Sequence, residues 1–199
     1  MATASKMSTR EKLLTAAERI VVERGLTGLS VRKVGQEAQV NPTLVTYHFK
    51  SIGNLLEELC RSNLEPLIAQ WNAIALDRGC GEDIEPLLRA WLEPMLMPAA
   101  FTEDGRALVV LDEIAAHGEG AIRLKVIEAM TGFITRFREA IAPEFPHLDD
   151  DELRARLRFI SGAVLGPPPR SHGALVTESG KHLDDIEYLV RFAKAALES

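Results

Sequence analysis

Three observations predict an all-α fold for this chain of 199 residues. Apolar residues recur at spacings of three and four through most of the sequence. No segment alternates apolar and polar residues for long, and hairpin turn pairs are absent. Residues 31–49, VRKVGQEAQVNPTLVTYHF, read as two short helices joined by a tight turn, so a small N-terminal three-helix unit should be followed by a long helix and a larger helical body.

Residues 1–8, MATASKMS, are small and polar, too weakly apolar for a signal peptide, and read as a flexible arm. Residues 9–51 form the first unit. Its opening helix spans Thr9 to Arg24, with Leu13, Ala17, Ile20 and Val21 on one stripe and Gly25 where a left-handed stop is wanted. Ser30 can accept from the first-turn N–H groups of a helix from Val31 to about Ala38. The chain then turns through Gln39, Val40 and Asn41, and Pro42 suits the first position of the next helix, which runs to His48. Val45 and Phe49 sit four apart and pack inward with Val34 and Val40. Thr43, Thr46, Tyr47 and His48 are left to project outward.

A hydrophobic underside carrying a polar ridge of this size suits the DNA major groove, about 12 Å wide, which admits one helix. The structural alternative is a plain helical hairpin with a solvated face. Charge favours the first reading. Residues 1–50 hold eight Lys or Arg and four Glu, a balance of plus four within a net charge of minus six, so residues 51–199 carry minus ten. The basic end is the expected DNA end, and binding should weaken with salt.

Residues 52–199 form the second unit. Ser51 can cap a helix from Ile52 to about Leu76. Further helices are expected at 83–97, 105–117, 119–142, 150–166 and 181–197. Pro94 should kink or end its helix, and Asp149, Asp150 and Asp151 suit the positive end of the next-to-last one. Gly166 and the three prolines after it should stop that helix in a stiff loop. No apolar run approaches the roughly 20 residues of a membrane helix. Cys60 and Cys80 lack metal or disulfide spacing, which points to a reducing cytoplasm, with a redox-sensing thiol at Cys80 as a lesser option.

The run REKLLTAAERIVVERGLTGLSVRKVGQEAQVNPTLVTYHFKSIGNLL resembles the N-terminal domain of TetR family transcriptional regulators, with helix, GL-T-x-L-S turn, helix, YHF-ending recognition segment and leucine pair in one order. The resemblance implies an all-α protein: an N-terminal helix-turn-helix DNA-binding domain joined by a long helix to a larger helical ligand-binding and dimerisation domain. It implies that Arg32, Pro42, Thr43, Thr46 and His48 face bases, and that Ser30, Tyr47 and Lys50 favour phosphates. Two positions depart from the family pattern. Thr46 replaces a common tyrosine, and Ile52 followed by Gly53 replaces a common lysine, which leaves Lys50 and the helix N-terminus to hold the backbone.

The family also implies that the last two helices pair with their copies in a homodimer. Their apolar stripes are Leu153, Leu157, Ile160 and Val164, then Leu183, Ile186, Leu189, Val190, Ala193 and Leu197. The alternative is that both stripes belong to the core of one chain. A two-fold dimer would read an inverted-repeat operator in double-stranded DNA. The larger unit would then hold a small lipophilic or aromatic effector against Trp71, Trp91, Met95, Met130 and Phe133, with Asn63, Gln70, Glu113 and His117 as candidate polar contacts. Glu113 and His117 share a face, but two ligands do not complete a metal site. No metal, cofactor or enzymatic activity is expected: His117, Glu113 or His172 could act as acid and base, but no catalytic fingerprint accompanies them. Repressor function is the leading reading, with a ligand-binding or adaptor module whose reader has weakened as the alternative.

Overall fold

The computed structural model describes residues 7–77, 81, 83–166 and 185–199. Among these, the regular elements are helical, apart from an isolated bridge between Pro98 and Arg106. The helices are α1 (Thr9–Arg24), α2 (Val31–Glu37), α3 (Thr43–Phe49), α4 (Ile52–Asn72), α5 (Glu85–Leu92), α6 (Ala107–His117), α7 (Gly120–Ile141), α8 (Asp150–Leu165) and α9 (Ile186–Glu198). Short 3-10 turns lie at Leu26–Gly28, Glu93–Leu96 and Ala142–Glu144. Residues 1–6 of the arm, Cys80, most of the proline loop with His172, and residues 181–184 of the expected last helix lie outside the described residues.

Side-chain caps set most of the N-termini. Ser8 and Glu11 form a reciprocal capping box on α1, and Ser30, Ser51, Asp149 and Asp185 each accept from a first-turn N–H of α2, α4, α8 and α9. Gly25 closes α1 at φ 73°. Two spans are shorter than their periodicity suggests. α4 stops at Asn72 rather than near Leu76, because the Ala73 N–H is drawn to the carbonyls of Ala69 and Gln70 and the chain tightens into a turn. The helix expected at 83–97 ends at Leu92, and Pro94, which has no N–H to continue it, lies in the 3-10 turn that follows. Pro66 stands inside α4 on its exposed side and leaves the Ser62 carbonyl without its helical donor.

Two apolar clusters form. The smaller holds Leu13, Leu14, Ala17 and Ile20 of α1, Val34 of α2, Val45 and Phe49 of α3, and Leu55 and Leu59 of α4. The larger spans α4 to α9 and takes in Val21 from α1. Helices α1 and α4 therefore run through both clusters, and no linker separates reader from body.

The C-terminal stripes face inward, which corrects the expectation that these residues form the interface between copies. Leu153, Leu157, Ile160, Val164, Leu189, Val190 and Ala193 are buried in the core of the single chain, and Ile186 packs against it. Periodicity reveals that a helix has an apolar face but does not say whose surface covers it. The large apolar residues left exposed on these helices are Phe159, Tyr188 and Phe192.

The seam between the clusters is polar. Glu18 of α1 is fully buried; its Oε1 accepts from Asn63 Nδ2 (2.8 Å), and its Oε2 accepts from the Phe101 N–H (2.7 Å) and the Thr102 hydroxyl (2.9 Å). Asn63 completes the clasp by donating to the Leu59 carbonyl and accepting from the Ala100 N–H. At the other end of α1, Glu113 of α6 accepts from the Leu26 N–H at 2.9 Å.

Glu18→Ala removes the acceptor for three donors in this seam. Each donor left buried and unpaired costs about 1–3 kcal/mol where the structure cannot relax around it. The expected total is a loss of roughly 2–4 kcal/mol, seen as a lower urea midpoint at unchanged slope. An unchanged midpoint would show that the clasp adds no stability. Where α2 and α3 meet, a Cβ on Gly35 would fall 2.7 Å from Pro42 Cα, a backbone atom that cannot swing away. Gly35→Ala should therefore destabilise the protein by about 1–3 kcal/mol, checked by thermal melting in the far ultraviolet.

Candidate functional site

The exposed helix α3 is aimed by three local devices. Gln39 takes a positive φ of 55°, which folds the chain back between α2 and α3. Asn41 Oδ1 accepts from the Thr43 N–H at 3.0 Å and from its hydroxyl at 2.8 Å, capping the helix. Pro42 already has helical dihedrals, φ −53° and ψ −26°, so it occupies the first-turn position expected for it, although the assigned helix begins one residue later. With Val45 and Phe49 buried, Thr43, Thr46 and Tyr47 are exposed and His48 is half-buried. Tyr47 stands 78% exposed, and its ring meets His48 edge-on at 5.1 Å between centroids. Apart from that edge contact its ring faces solvent, where it is free to reach another molecule.

Cations surround this ridge. Lys50 closes α3 at φ 66°, its N–H bonded to the Thr46 carbonyl, and its side chain is exposed. Arg32 and Lys33 are exposed on the first turn of α2. From residue 38 to residue 56 the chain contains no Asp or Glu. Ser30, expected at a phosphate, has its hydroxyl oxygen engaged as the cap on the Lys33 N–H at 3.3 Å. Ile52 packs against the small core, so the α4 N-terminus offers a Ser51 cap and backbone rather than an ammonium group. Arg10 lies 5.1 Å from the centre of the Phe49 ring and pairs with Glu58, tying α1 to α3 and α4. Sequence reasoning missed Gly35, Asn41 as a cap and Lys33. The Asn-Pro pair was the available signal for the second, whereas the glycine contact exists only once the two helices are packed.

The larger body contains a cavity of about 500 Å³ between α4, α5, α6, α7 and α8. Five of the expected residues line it: Trp71, Trp91, Met95, Met130 and Phe133. Trp71 and Phe133 stack at 4.4 Å with their planes 10° apart, and Trp71 Nε1 donates to the Trp91 carbonyl at 3.0 Å. The four expected polar contacts lie elsewhere. Asn63 and Glu113 hold the seam, Gln70 is exposed and bonds Met97 Sδ, and His117 is exposed at the end of α6. The polar groups that do line the cavity are Asp112, Thr131, Arg154, Arg158 and Ser161. Three of these lie on α8, which the sequence assigned to a partner surface, and their direction depends on how α8 sits against α7.

Cys60 is buried, and burial pushes its thiol pKa up, which keeps it in the unreactive thiol form. Among the described residues no group of three metal-ligating side chains comes together, and no helix is long and apolar enough to cross a membrane.

Comparison with known proteins agrees with this arrangement. Residues 13–59 match the family model for bacterial regulatory proteins of the tetR family, and residues 89–196 match the model for a tetracyclin repressor-like C-terminal domain. Over 54 residues the chain is 37% identical to the probable HTH-type transcriptional regulator YttP of Bacillus subtilis, a match covering 27% of this chain and 26% of that protein's length. The fold is that of the TetR family regulator PfmR from Thermus thermophilus, with TM-score 0.64, 18% identity, and 94% of this chain and 97% of that one covered. It also resembles the multidrug binding protein EbrR complexed with malachite green, with TM-score 0.53, 20% identity, and 94% and 97% of the two chains covered. Because the two family models meet this chain at its exposed α3 and across the helices around its cavity, the chain belongs to the TetR family of DNA-binding transcriptional regulators.

Proposed function

We propose that this regulator is a cytoplasmic repressor that binds an inverted-repeat operator as a homodimer and leaves it when a small lipophilic or aromatic effector enters the cavity. The observation that carries the reading is the exposed ridge of Thr43, Thr46 and Tyr47, followed by Lys50 within the acid-free residues 38–56 and preceded by the exposed Arg32 and Lys33 of α2. Hydroxyl and methyl groups on such a ridge suit base edges, and the lysines and arginines suit phosphates. Residues 9–51 serve as the reader and 52–199 as the effector-binding and dimerising body.

A second copy would cover the apolar groups the fold leaves exposed on α8 and α9. Phe159 is 77% exposed, and Tyr188 and Phe192 lie one turn apart at 42% each. These three, rather than the buried stripes, are the anchors of the proposed dimer interface.

Effector release needs a path from cavity to reader. Leu108 and Asp112 of α6 line the cavity, and α6 holds the α1 turn through Glu113. The segment before α6 holds Glu18 through Phe101 and Thr102. A ligand that shifts α6 would move the reader as one piece with α1. To carry the population from 1:99 to 99:1 it must prefer the released form by about ten-thousandfold. The malachite green held by EbrR supports a ligand in the corresponding body of this chain.

The reading is tested by selecting bound duplexes from a random DNA pool with the purified protein. Recovery of an inverted repeat is expected; no enrichment at low salt would sink the reader and leave a ligand-binding module. On the recovered duplex, Tyr47→Ala should weaken binding by roughly tenfold without lowering the melting temperature, the scale of one good contact. Replacing both Phe159 and Phe192 with Glu should convert a dimer into a monomer in light scattering, and a dimer that survives would move the interface elsewhere.

A further inference from the structure

We propose that the cavity takes an amphipathic organic anion, a carboxylate with an apolar body, and that Arg158 is its counter-ion. This deepens the effector reading and rests on it.

The inference comes from which charges lining the cavity are already balanced. Arg154, Arg158, Ser161 and Leu165 follow one another at spacings of four, three and four, so α8 presents one continuous face to the cavity. The Arg154 guanidinium is engaged by Asp150 at 2.5 Å, and Asp112, across the cavity on α6, has a partner of its own within the fold. Arg158 makes no hydrogen bond or ion pair among the described residues. Of the charged groups that line the cavity, Arg158 is therefore the one without a partner among the described residues, and it is a cation.

The remaining polar groups set its use. The Ser161 hydroxyl donates to the Leu157 carbonyl at 2.9 Å, so its proton is not directed at a ligand. Thr131, on the α7 wall of the same cavity, carries a hydroxyl that can donate. A carboxylate accepts from both, and Arg offers it two parallel N–H groups. A ligand cation would meet Arg158 with no unengaged carboxylate in the lining to offset it. A neutral ligand would fill the apolar end formed by the Trp71–Phe133 stack and Met130 while leaving the guanidinium unused. The minus ten carried by residues 51–199 does not reverse this preference, because charges beyond about 8 Å are screened at physiological salt. A volume of about 500 Å³ lies within the range of small-molecule sites, roughly 300–1,000 Å³.

The chain has two tryptophans, Trp71 and Trp91, and both line the cavity, so intrinsic fluorescence reports on its occupancy without a label. The test titrates the full-length protein with decanoate, decan-1-ol and decyltrimethylammonium, each below its micelle concentration and matched in chain length. Decanoate should saturate a fluorescence change with an affinity roughly tenfold above that of the other two, the factor of a charge-assisted hydrogen bond. In Arg158→Gln that preference should vanish while the alcohol binds as before, and Arg158→Lys should restore part of it. Arg158 is exposed, so folding of the variants is checked directly by circular dichroism. Equal or tighter binding of the alcohol or the ammonium compound, or a carboxylate preference that survives Arg158→Gln, overturns the proposal and leaves the cavity as an effector site of other chemistry. No response to any of the three probes overturns the effector reading of the cavity itself, and this proposal with it.

Discussion

The arrangement of this protein depends on one buried carboxylate. Glu18 belongs to the helix that backs the reader, yet its acceptors are filled by Asn63 on α4 and by Phe101 and Thr102 in the segment leading to α6. A buried carboxylate without such partners would be too costly to keep, so the three elements are held in one register. Its donors all belong to residues 52–199, so a carboxylate of the reader is held by the body. The apolar clusters on either side supply most of the cohesion, but apolar contact is non-directional and tolerates sliding. The hydrogen bonds of the clasp do not, and they define the angle at which the reader is presented.

The same seam connects the cavity to the reader. Arg106, at the start of α6, donates to the carbonyls of Val164 and Leu165 at the end of α8, both at 2.6 Å. Leu165 and Leu108 line the cavity, and Glu113 returns from α6 to the turn after α1. The cavity wall, the end of α8, the segment before α6 and the first helix of the reader thus form a chain of directional contacts. Pro66 divides α4 between its reader-facing and cavity-facing turns, so the continuous helical ladder is weakest in the element that would otherwise seem the obvious lever. The contacts that run through α6 do not depend on that ladder.

Charge is partitioned to match. The reader keeps its cations exposed around α3, while the acids of the body are used locally. Glu85 and Asp83 bind Lys194, Glu187 binds Arg89, and Asp150 binds Arg138 and Arg154, so α9 is pinned to α5 and α8 to α7. Hydrogen bonding to Arg89 holds the Glu187 carboxyl below the usual carboxylate range, and Glu85 raises the pKa of the Lys194 ammonium. These pairs are solvent-exposed and contribute modestly to stability. They fix helix register on the outside of an interior that aromatic and aliphatic residues fill.

By itself the sequence determined the helical class, the reader and the cavity's apolar wall, because each rests on local patterns. The 3.6-residue period places Val45 and Phe49 beneath Thr46 and Tyr47 whatever the rest of the chain does, and Ser30 and Ser51 are caps wherever a helix starts beside them. A concentration of Trp, Met and Phe in helices that must share one interior likewise points to one wall. Tertiary structure alone decided which face of α8 and α9 is covered, which polar side chains reach the cavity and where Glu18 finds its donors. Asn63 and Glu113, candidates for the ligand by composition, became structural clasps, and Arg154 and Arg158, placed by sequence on a partner-facing helix, turned toward the cavity. The physical reason is that a helix pattern specifies a face but not its neighbour. The partner of a buried polar group lies 40 or more residues away, as with Glu18 and Asn63, and only packing brings the two together.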